Sequence, residues 1–468
     1  MVLKVYNTLS RKKEIFKPIR EDIVSIYWCG QTVYDSTHLG HARAYITADV
    51  IRRWLKYRGY NVLYIENITD IDDKIINRAK ELGISWKKLA EIYTKELEDV
   101  MEKINVHVDF RPKATEHVPE MINIVSKLIE KGHAYETSDG VYFDINSFPK
   151  YGALSRQKLE DLKKHRTEPS PEKRNPGDFA LWKKQKPGEP AWSSPWGEGR
   201  PGWHIECTAM AMRYLGETID IHAGGSDLIF PHHENEIAQS EAFSGKKFVN
   251  YWIHVGLLQV KGEKMAKSLK NFIPTKEALE KWDPEAIRLY LISNHYRKPM
   301  DFNEDDLNNI SKTLDKLYNV SYSLAGVYRV KGKLTESEKA LKKSVNSLRK
   351  KFEAAMDDDF NTPLALTTLY MFANTVNEFL AKNTNLNENL AELIEKTFKD
   401  FCQVFGILQG KVRGQEIIKG LVEAIIDIRY ILRKEGKYDL ADEIRSRLRK
   451  INILIEDQKD GTSTWRFR

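Results

Sequence analysis

The chain has 468 residues, of which 41% are hydrophobic and 30% are charged, and this composition excludes a largely disordered protein. Its length predicts about two to four domains, and only three cysteines argue against a disulfide framework. The net charge of +7 suits a polyanionic partner, but it suits plain solubility equally well. With no run of about 18 apolar residues and no apolar signal segment, we expect a cytoplasmic protein without a membrane span.

The first part of the chain alternates strand and helix patterns. Residues 22–28 and 61–65 are rich in β-forming residues and predict strands, and apolar residues at helical spacing predict a helix over 42–57. A strand, a helix and a strand at this spacing predict a parallel, Rossmann-like sheet. After helices over much of 72–131, the tract 168–202 is crowded with Pro, Gly, Lys and Trp. We interpret it as a loop within an insertion between two halves of the sheet.

The second part begins where the sheet resumes, with strands predicted at 219–222 and 251–255. From about residue 303 the pattern is helical, including a helix over 362–380 with Thr362 as its cap. A final unit after residue 410 combines two helical patterns with one strand-like run.

These patterns predict an α/β protein: a Rossmann-like catalytic domain with an insertion, then an all-α helical bundle and a small C-terminal unit. The predicted boundaries are 1–110 with 203–300 for the catalytic domain, 111–202 for the connective insertion, 301–409 for the bundle and 410–468 for the C-terminal unit.

One short motif, His38-Leu39-Gly40-His41, lies at the start of the first predicted helix. Backbone N–H groups and the helix dipole attract phosphate there, the glycine admits it closely, and the imidazoles can donate hydrogen bonds. Taken alone, such a tetrapeptide is more often a pair of surface histidines beside a turn glycine.

A second motif is the lysine-rich run Lys264-Met265-Ala266-Lys267-Ser268. Such a loop can close over a leaving pyrophosphate and neutralise its charge. In isolation, such a run is more often a solvated basic loop.

A third constellation has the chemistry of a metal site. Cys29 ends the first predicted strand, Cys207 follows the insertion, and His232 and Glu236 stand four residues apart where Pro231 favours a helix start. Two thiolates, one imidazole and one carboxylate make a tetrahedral zinc site. The alternative is two buried free cysteines and an unrelated surface pair.

Together the first two motifs resemble the HIGH and KMSKS signatures of class I aminoacyl-tRNA synthetases, with Leu39 in place of isoleucine and Ala266 in place of the first serine. The stretches 67–75, 201–207 and 222–236 resemble the cysteinyl-tRNA synthetase family in particular. The resemblance continues to the C-terminus and covers nearly the whole chain.

The resemblance implies an enzyme of protein biosynthesis that activates L-cysteine with ATP and transfers it to tRNA(Cys). It implies one Zn²⁺ per chain that binds the substrate thiolate, Mg²⁺ with the ATP, and anticodon binding by the helical domain; a monomer is expected. Zinc favours a soft thiolate, whereas pocket shape alone separates cysteine from serine poorly. The implied residues are His38, His41, Lys264 and Lys267 for catalysis; His38, Gly40, His41, Gly224, Gly225, Asp227 and Lys267 for ATP; Cys29, Thr69, Trp203 and His222 for cysteine; and Cys29, Cys207, His232 and Glu236 for zinc.

Two other functions remain open from the sequence. A ligase that joins cysteine to a small amine would keep every catalytic motif but generally lacks the helical domain. A tRNA-binding paralogue without catalysis would not need the intact histidines, lysine and four metal ligands. Among single residues, His233, Glu234 and Cys402 are interpreted as structural. Ordinary core packing explains Trp203 almost as well as a role in the cysteine pocket does.

Overall fold

The structure is a computed structural model that describes residues 2–157, 172–265, 271–408, 412–451, 453–457 and 463–467. These residues form two compact units, residues 1–407 and 408–468. The strands are β1 (Lys4–Asn7), β2 (Lys12–Ile15), β3 (Ile23–Trp28), β4 (Asn61–Glu66), β5 (Ala134–Glu136), β6 (Gly140–Phe143), β7 (Phe179–Lys184), β8 (Gly199–Pro201), β9 (Ile219–Gly225), β10 (Val249–Val255), β11 (Leu258–Val260), β12 (Glu263–Lys264), β13 (Met300–Asp301), β14 (Tyr328–Val330), β15 (Asn385–Asn387), β16 (Ile453–Asp457) and β17 (Ser463–Phe467). The α-helices are α1 (Leu39–Tyr57), α2 (Asp73–Leu82), α3 (Trp86–Lys103), α4 (Val118–Glu130), α5 (Trp203–Leu215), α6 (Glu234–Ser244), α7 (Thr275–Lys281), α8 (Pro284–Leu291), α9 (Glu304–Gly326), α10 (Glu336–Asp357), α11 (Thr362–Leu380), α12 (Glu388–Phe405), α13 (Val412–Lys434) and α14 (Tyr438–Lys450).

The central sheet has the order β10-β9-β3-β4, and every neighbouring pair is parallel. This confirms the predicted α/β class with a Rossmann-like parallel sheet. Strands β9 and β10 read as nearly continuous buried runs because helices cover a parallel sheet on both faces. The carboxyl ends of parallel strands meet at one edge, where Cys29, Thr69 and Gly225 follow or end β3, β4 and β9.

The insertion contains a four-stranded antiparallel sheet in the order β5-β6-β7-β8. The interpretation of 168–202 as loop is therefore wrong for β7 and β8. Phe179, Leu181 and Trp182 are buried and supply the apolar residues of a strand, whereas proline and glycine occupy the turns around it.

Helices α9 to α12 form the predicted helical bundle, together with the short parallel pair β14 and β15. The cap predicted at Thr362 is wrong: Asn361 caps α11, and its side chain accepts a hydrogen bond from the Leu364 N–H at 3.3 Å. The Thr362 hydroxyl instead donates to the Ile292 carbonyl at 2.7 Å, which joins the bundle to the segment after α8.

A buried arginine also joins the bundle to the domain that contains the central sheet. Arg288 of α8 forms an ion pair with Asp49 of α1 and donates to the Phe405 and Ile104 carbonyls at 2.5 and 2.7 Å. A guanidinium offers several donors in a fixed geometry, so one side chain satisfies groups from three elements.

The second unit consists of α13, α14 and the antiparallel pair β16 and β17. Its core includes Val422, Leu448 and Ile455, and Trp465 packs against them. In the described part of the chain, no helix is long and apolar enough to cross a membrane.

Candidate active site and metal centre

The structure brings the four predicted zinc ligands together at the carboxyl edge of the central sheet. Cys29 follows β3, Cys207 lies on α5, and His232 and Glu236 flank the start of α6. The two Sγ atoms are 3.5 Å apart, Cys29 Sγ is 3.5 Å from Glu236 Oε1, and His232 Nε2 is 3.0 Å from the same oxygen. One donor atom from each residue lies within 4.8 Å of the others, and all four side chains are buried. This donor set fits a tetrahedral Zn²⁺ site.

The backbone around His232 follows the prediction. The Phe230–Pro231 peptide is cis, and Phe230 itself is extended. Helical backbone angles begin at Pro231, as predicted, and continue through His233 into α6 at Glu234. His232 and Glu236 therefore share one helical face.

The side chains of the cluster shift one another's pKa values so that charged forms are favoured despite burial. Burial disfavours an ionised Glu236, but His222 and His232 outweigh it and lower the pKa of Glu236 to about 2. Burial likewise disfavours a charged His232, but Glu236 and Cys207 raise its pKa to about 10. For Cys207 burial opposes ionisation, while the hydrogen bond with Cys29 and the charge of His232 lower its pKa to about 6. A cation that binds such groups displaces their protons.

Of the residues predicted for the cysteine pocket besides Cys29, Trp203 and His222 contact this cluster, whereas Thr69 contacts Asn67. The Trp203 ring stacks on His232, with centroids 4.2 Å apart, and His222 Nε2 lies 2.8 Å from Glu236 Oε2. Thr69 is buried and accepts a hydrogen bond from Asn67 Nδ2 at 3.2 Å. These three residues come from the segment after β4, from the middle of β9 and from the start of α5.

Several residues of the site were missed by sequence reasoning. Asn67 accepts a hydrogen bond from the Gly30 N–H at 2.9 Å, and its Oδ1 lies 3.6 Å from Cys207 Sγ. The buried Tyr27 hydroxyl lies beside Cys207, and burial together with the two thiols raises its pKa. Burial and then the Cys207 charge raise the pKa of Glu206. Asn67 and Glu206 occur in the stretches that carry the family resemblance, whereas no local pattern marks Tyr27.

Two residues interpreted as structural differ in their contacts. Glu234 is buried and accepts hydrogen bonds from the Gly152 and Ser155 N–H groups at 2.9 and 2.7 Å, which anchors the segment after β6. His233 Nε2, by contrast, lies 3.4 Å from Cys29 Sγ. It belongs to a second group of four donors that could hold a metal, namely Cys29, His222, His233 and Glu236.

The first motif, which the sequence predicts to bind phosphate, forms the N-terminus of α1. His38 is the N-cap, and its Nδ1 accepts hydrogen bonds from the Gly40 and His41 N–H groups at 3.1 and 3.3 Å. The two imidazoles stack with centroids 3.7 Å apart. A Cβ at Gly40 would lie 2.8 Å from the His38 ring, so this packing requires glycine.

The lysine motif is described in part. The Lys264 backbone lies in β12, which pairs with β11, and Lys267 lies outside the described residues. Residue 271 is the first described residue after this motif, and Ile273 accepts a hydrogen bond from the Leu39 N–H at 3.1 Å. The segment after the lysine motif therefore lies directly beside the first motif.

The predicted adenosine-binding residues lie at the end of β9. Gly224 and Gly225 close the strand, and the exposed Asp227 follows in a short 3₁₀ turn. A Cβ at Gly224 would lie 2.8 Å from the end of the Leu228 side chain, and one at Gly225 would lie 2.6 Å from the Asp227 carboxylate, so a side chain at either position would require these side chains to move.

Comparison with known proteins identifies the family. Residues 15–312 match the model for the class I (C) tRNA synthetase catalytic domain, and residues 351–409 match the DALR domain. A cysteine–tRNA ligase of Thermococcus gammatolerans is 50% identical over 470 residues, covering 99% of this chain and 98% of that protein. The chain belongs to the cysteine–tRNA ligase family. A second member, from Thermodesulfovibrio yellowstonii, is 44% identical over 486 residues and covers both chains completely.

Solved structures of other class I synthetases share the fold of this family member. Methionyl-tRNA synthetase of Mycobacterium tuberculosis, in complex with methionyl-adenylate, aligns with a TM-score of 0.62 at 14% identity, covering 82% of this chain and 89% of that chain. A ternary complex of Agrobacterium radiobacter K84 LeuRS with tRNA and LeuAMS aligns with a TM-score of 0.62 at 10% identity, covering 84% and 85%.

Proposed function

We propose that this chain activates L-cysteine with ATP and transfers the cysteinyl group to the 3′ end of tRNA(Cys). The observation that carries the proposal is the buried group of two thiols, an imidazole and a carboxylate, set at the sheet edge that also carries the first phosphate-binding motif. Family membership supports the same reaction.

Zn²⁺ held by Cys29, Cys207, His232 and Glu236 would supply a soft Lewis acid that prefers a thiolate to a hydroxyl. The protein's own residues do the rest of the selection. Trp203, packed on His232, and the buried Thr69 limit the pocket to a small side chain. Burial of the cluster excludes water, which strengthens every charge interaction within it.

In the first step, a carboxylate oxygen of cysteine attacks the α-phosphorus of ATP, and the bond to the pyrophosphate oxygen breaks. We assign His38 and His41 to orient the phosphates, because the N-terminus of α1 and its N–H groups favour anions. Lys264 and Lys267 neutralise the charge on the departing pyrophosphate, and Mg²⁺ accompanies the ATP. Gly224, Gly225 and Asp227 hold the adenosine, where bare backbone permits close approach.

In the second step, a ribose hydroxyl at the 3′ end of tRNA attacks the carbonyl carbon of the adenylate, and AMP leaves. Neither step needs a covalent enzyme intermediate, so positioning and electrostatics carry the rate. The helical bundle, proposed as residues 301–409, would bind the anticodon region, and its match to the DALR domain supports a tRNA acceptor over a small amine. We also propose the catalytic domain at 1–110 with 203–300, the insertion at 111–202 and the C-terminal unit at 410–468, in a monomeric and cytoplasmic protein.

Pyrophosphate exchange together with metal analysis tests the proposal. The purified protein should contain one zinc per chain and should exchange pyrophosphate into ATP with cysteine but not with serine. Equal exchange with serine would contradict the proposal that zinc selects cysteine over serine. A folded, metal-free protein with no exchange would favour the catalytically inactive paralogue.

A further inference from the structure

A line of hydrogen bonds leads from the half-buried Thr8 in the N-terminal hairpin to the buried Cys29. Thr8 Oγ1 lies 2.8 Å from His254 Nδ1, His254 Nε2 lies 2.7 Å from His233 Nδ1, and His233 Nε2 lies 3.4 Å from Cys29 Sγ. His233 and His254 are 0% and 5% exposed. Neither imidazole has a part in the mechanism described above, although every ring nitrogen on this line has a partner.

When Cys29 binds the proposed metal as a thiolate, one direction is set for each hydrogen bond along this line. A thiolate only accepts, and a neutral imidazole has one donor nitrogen and one acceptor nitrogen. His233 therefore donates from Nε2 to Cys29, and its Nδ1 accepts from His254 Nε2. His254 Nδ1 in turn accepts from the Thr8 hydroxyl, so one set of tautomers satisfies the entire line.

The backbone holds this line in place. Thr8 donates its N–H to the Trp252 carbonyl at 2.9 Å, and His254 lies in β10, directly opposite Gly224 of β9. Glu236 Oε1 lies 4.0 Å from His233 Nε2, beyond hydrogen-bonding distance, whereas Cys29 Sγ lies within reach at 3.4 Å.

The negative charge of the ligands in the proposed metal site favours a hydrogen-bond donor beside Cys29. Two thiolates and a carboxylate exceed the charge of one divalent cation, and the substrate thiolate adds a further negative charge in a buried cavity. A neutral N–H donor aimed at a ligand sulfur disperses this charge and fixes the ligand's orientation.

We propose that Thr8, His254 and His233 form a positioning relay that donates a hydrogen bond to the Cys29 thiolate and so enables the metal site to accept the sulfur of the cysteine substrate. The inference rests on the proposed zinc site. It assigns His233 a positioning role, which differs from direct ligation through the alternative donor group of Cys29, His222, His233 and Glu236.

The test replaces zinc with Co²⁺ in the full-length protein and measures the thiolate-to-cobalt charge-transfer band, with cysteine titrated as the probe. His254→Phe removes the donor to His233, whereas His254→Gln keeps an amide N–H near the same place. Thr8→Val and Thr8→Ser form a second pair at a half-buried position. We expect His254→Phe to move the band to lower energy and to weaken cysteine binding about 10- to 100-fold. We expect Thr8→Val to cause a smaller change in the same direction, and the Gln and Ser variants to restore most of both values.

A matched control removes another buried histidine. His117 also uses both ring nitrogens, toward the Lys113 carbonyl and the Tyr214 hydroxyl, and His117→Phe should leave the band energy unchanged even if the protein loses stability. An unchanged band and unchanged cysteine affinity in both His254→Phe and Thr8→Val would overturn the relay alone. If His254→Phe does not fold, the Thr8 pair decides.

Two further outcomes distinguish an error in the relay from an error in the proposed metal site. A wild-type protein that binds neither Zn²⁺ nor Co²⁺ would overturn the metal site and the relay together. If His233→Gln abolishes metal binding while Cys207→Ser keeps the full charge-transfer intensity, then His233 is a ligand, and the positioning role is wrong.

Discussion

Gly30 is the position where one added carbon atom should disturb the site most. A Cβ at Gly30 would lie 1.8 Å from the Asn67 carbonyl oxygen and 2.9 Å from its carbon, whereas real Cβ contacts essentially never fall below 3.0 Å. Backbone must therefore move by more than 1 Å in Gly30→Ala. The moving segments carry Cys29 and Thr69, and the displaced Asn67 both holds the Gly30 N–H and lies beside Cys207.

The size of the effect follows from this displacement. Overpacking costs about 1–3 kcal/mol of stability, and a misplacement of about 1 Å can cost about 100-fold in rate. We expect kcat/KM for cysteine to fall about 100-fold in pyrophosphate exchange, with a raised KM for cysteine and a nearly unchanged KM for ATP. The matched control is Gly420→Ala, where the added carbon meets no atom within 4 Å in α13. A Gly30→Ala protein with wild-type kcat/KM would refute the claim that Cys29 and Thr69 share one rigid pocket.

Three further predictions test separate parts of the structure. Cys29→Ser should lose zinc and cysteine-dependent exchange together, since one ligand anchors both; retained zinc with normal cysteine affinity would contradict the ligand assignment. Arg288→Met should lower the free energy of unfolding, measured by urea denaturation, by about 3–5 kcal/mol, because it leaves buried Asp49 and several carbonyls without this partner. Arg288→Lys should retain part of the stability. A loss below about 1 kcal/mol in Arg288→Met would contradict this role of Arg288. Burial and then the His222 charge lower the pKa of His254 to about 3. The unfolded chain therefore binds the extra proton below about pH 6.5, and this histidine should reduce stability by about 1.4 kcal/mol per pH unit as the pH falls from there. The pH dependence of urea denaturation should be shallower in His254→Gln, and an identical slope would contradict a neutral buried His254.

The sequence predicted the parallel sheet because its strands carry local signals. Buried β-branched and aromatic runs define β3, β4, β9 and β10, and the ends of such strands necessarily meet at one edge. Residues as distant as Cys29 and Glu236 could be placed together on that basis, with the family resemblance to select them.

Other features depend on interactions that no local pattern encodes. The strands β7 and β8 lie in a tract whose prolines and glycines suggest only turns, and their buried apolar residues are few. Thr8 and His254 are 246 residues apart, so their contact depends on tertiary packing. The cap of α11 shows the same limit at short range. Asn361 and Thr362 are both good caps, and the position of the Ile292 carbonyl decides between them.

The measurement that tests the central claim most directly is the charging of unfractionated tRNA with labelled cysteine, with labelled serine as the control. We predict that cysteine becomes attached to tRNA and that serine does not. A protein that contains zinc and supports cysteine-dependent pyrophosphate exchange, yet attaches no cysteine to tRNA, would contradict the proposed acceptor and favour a ligase for a small amine.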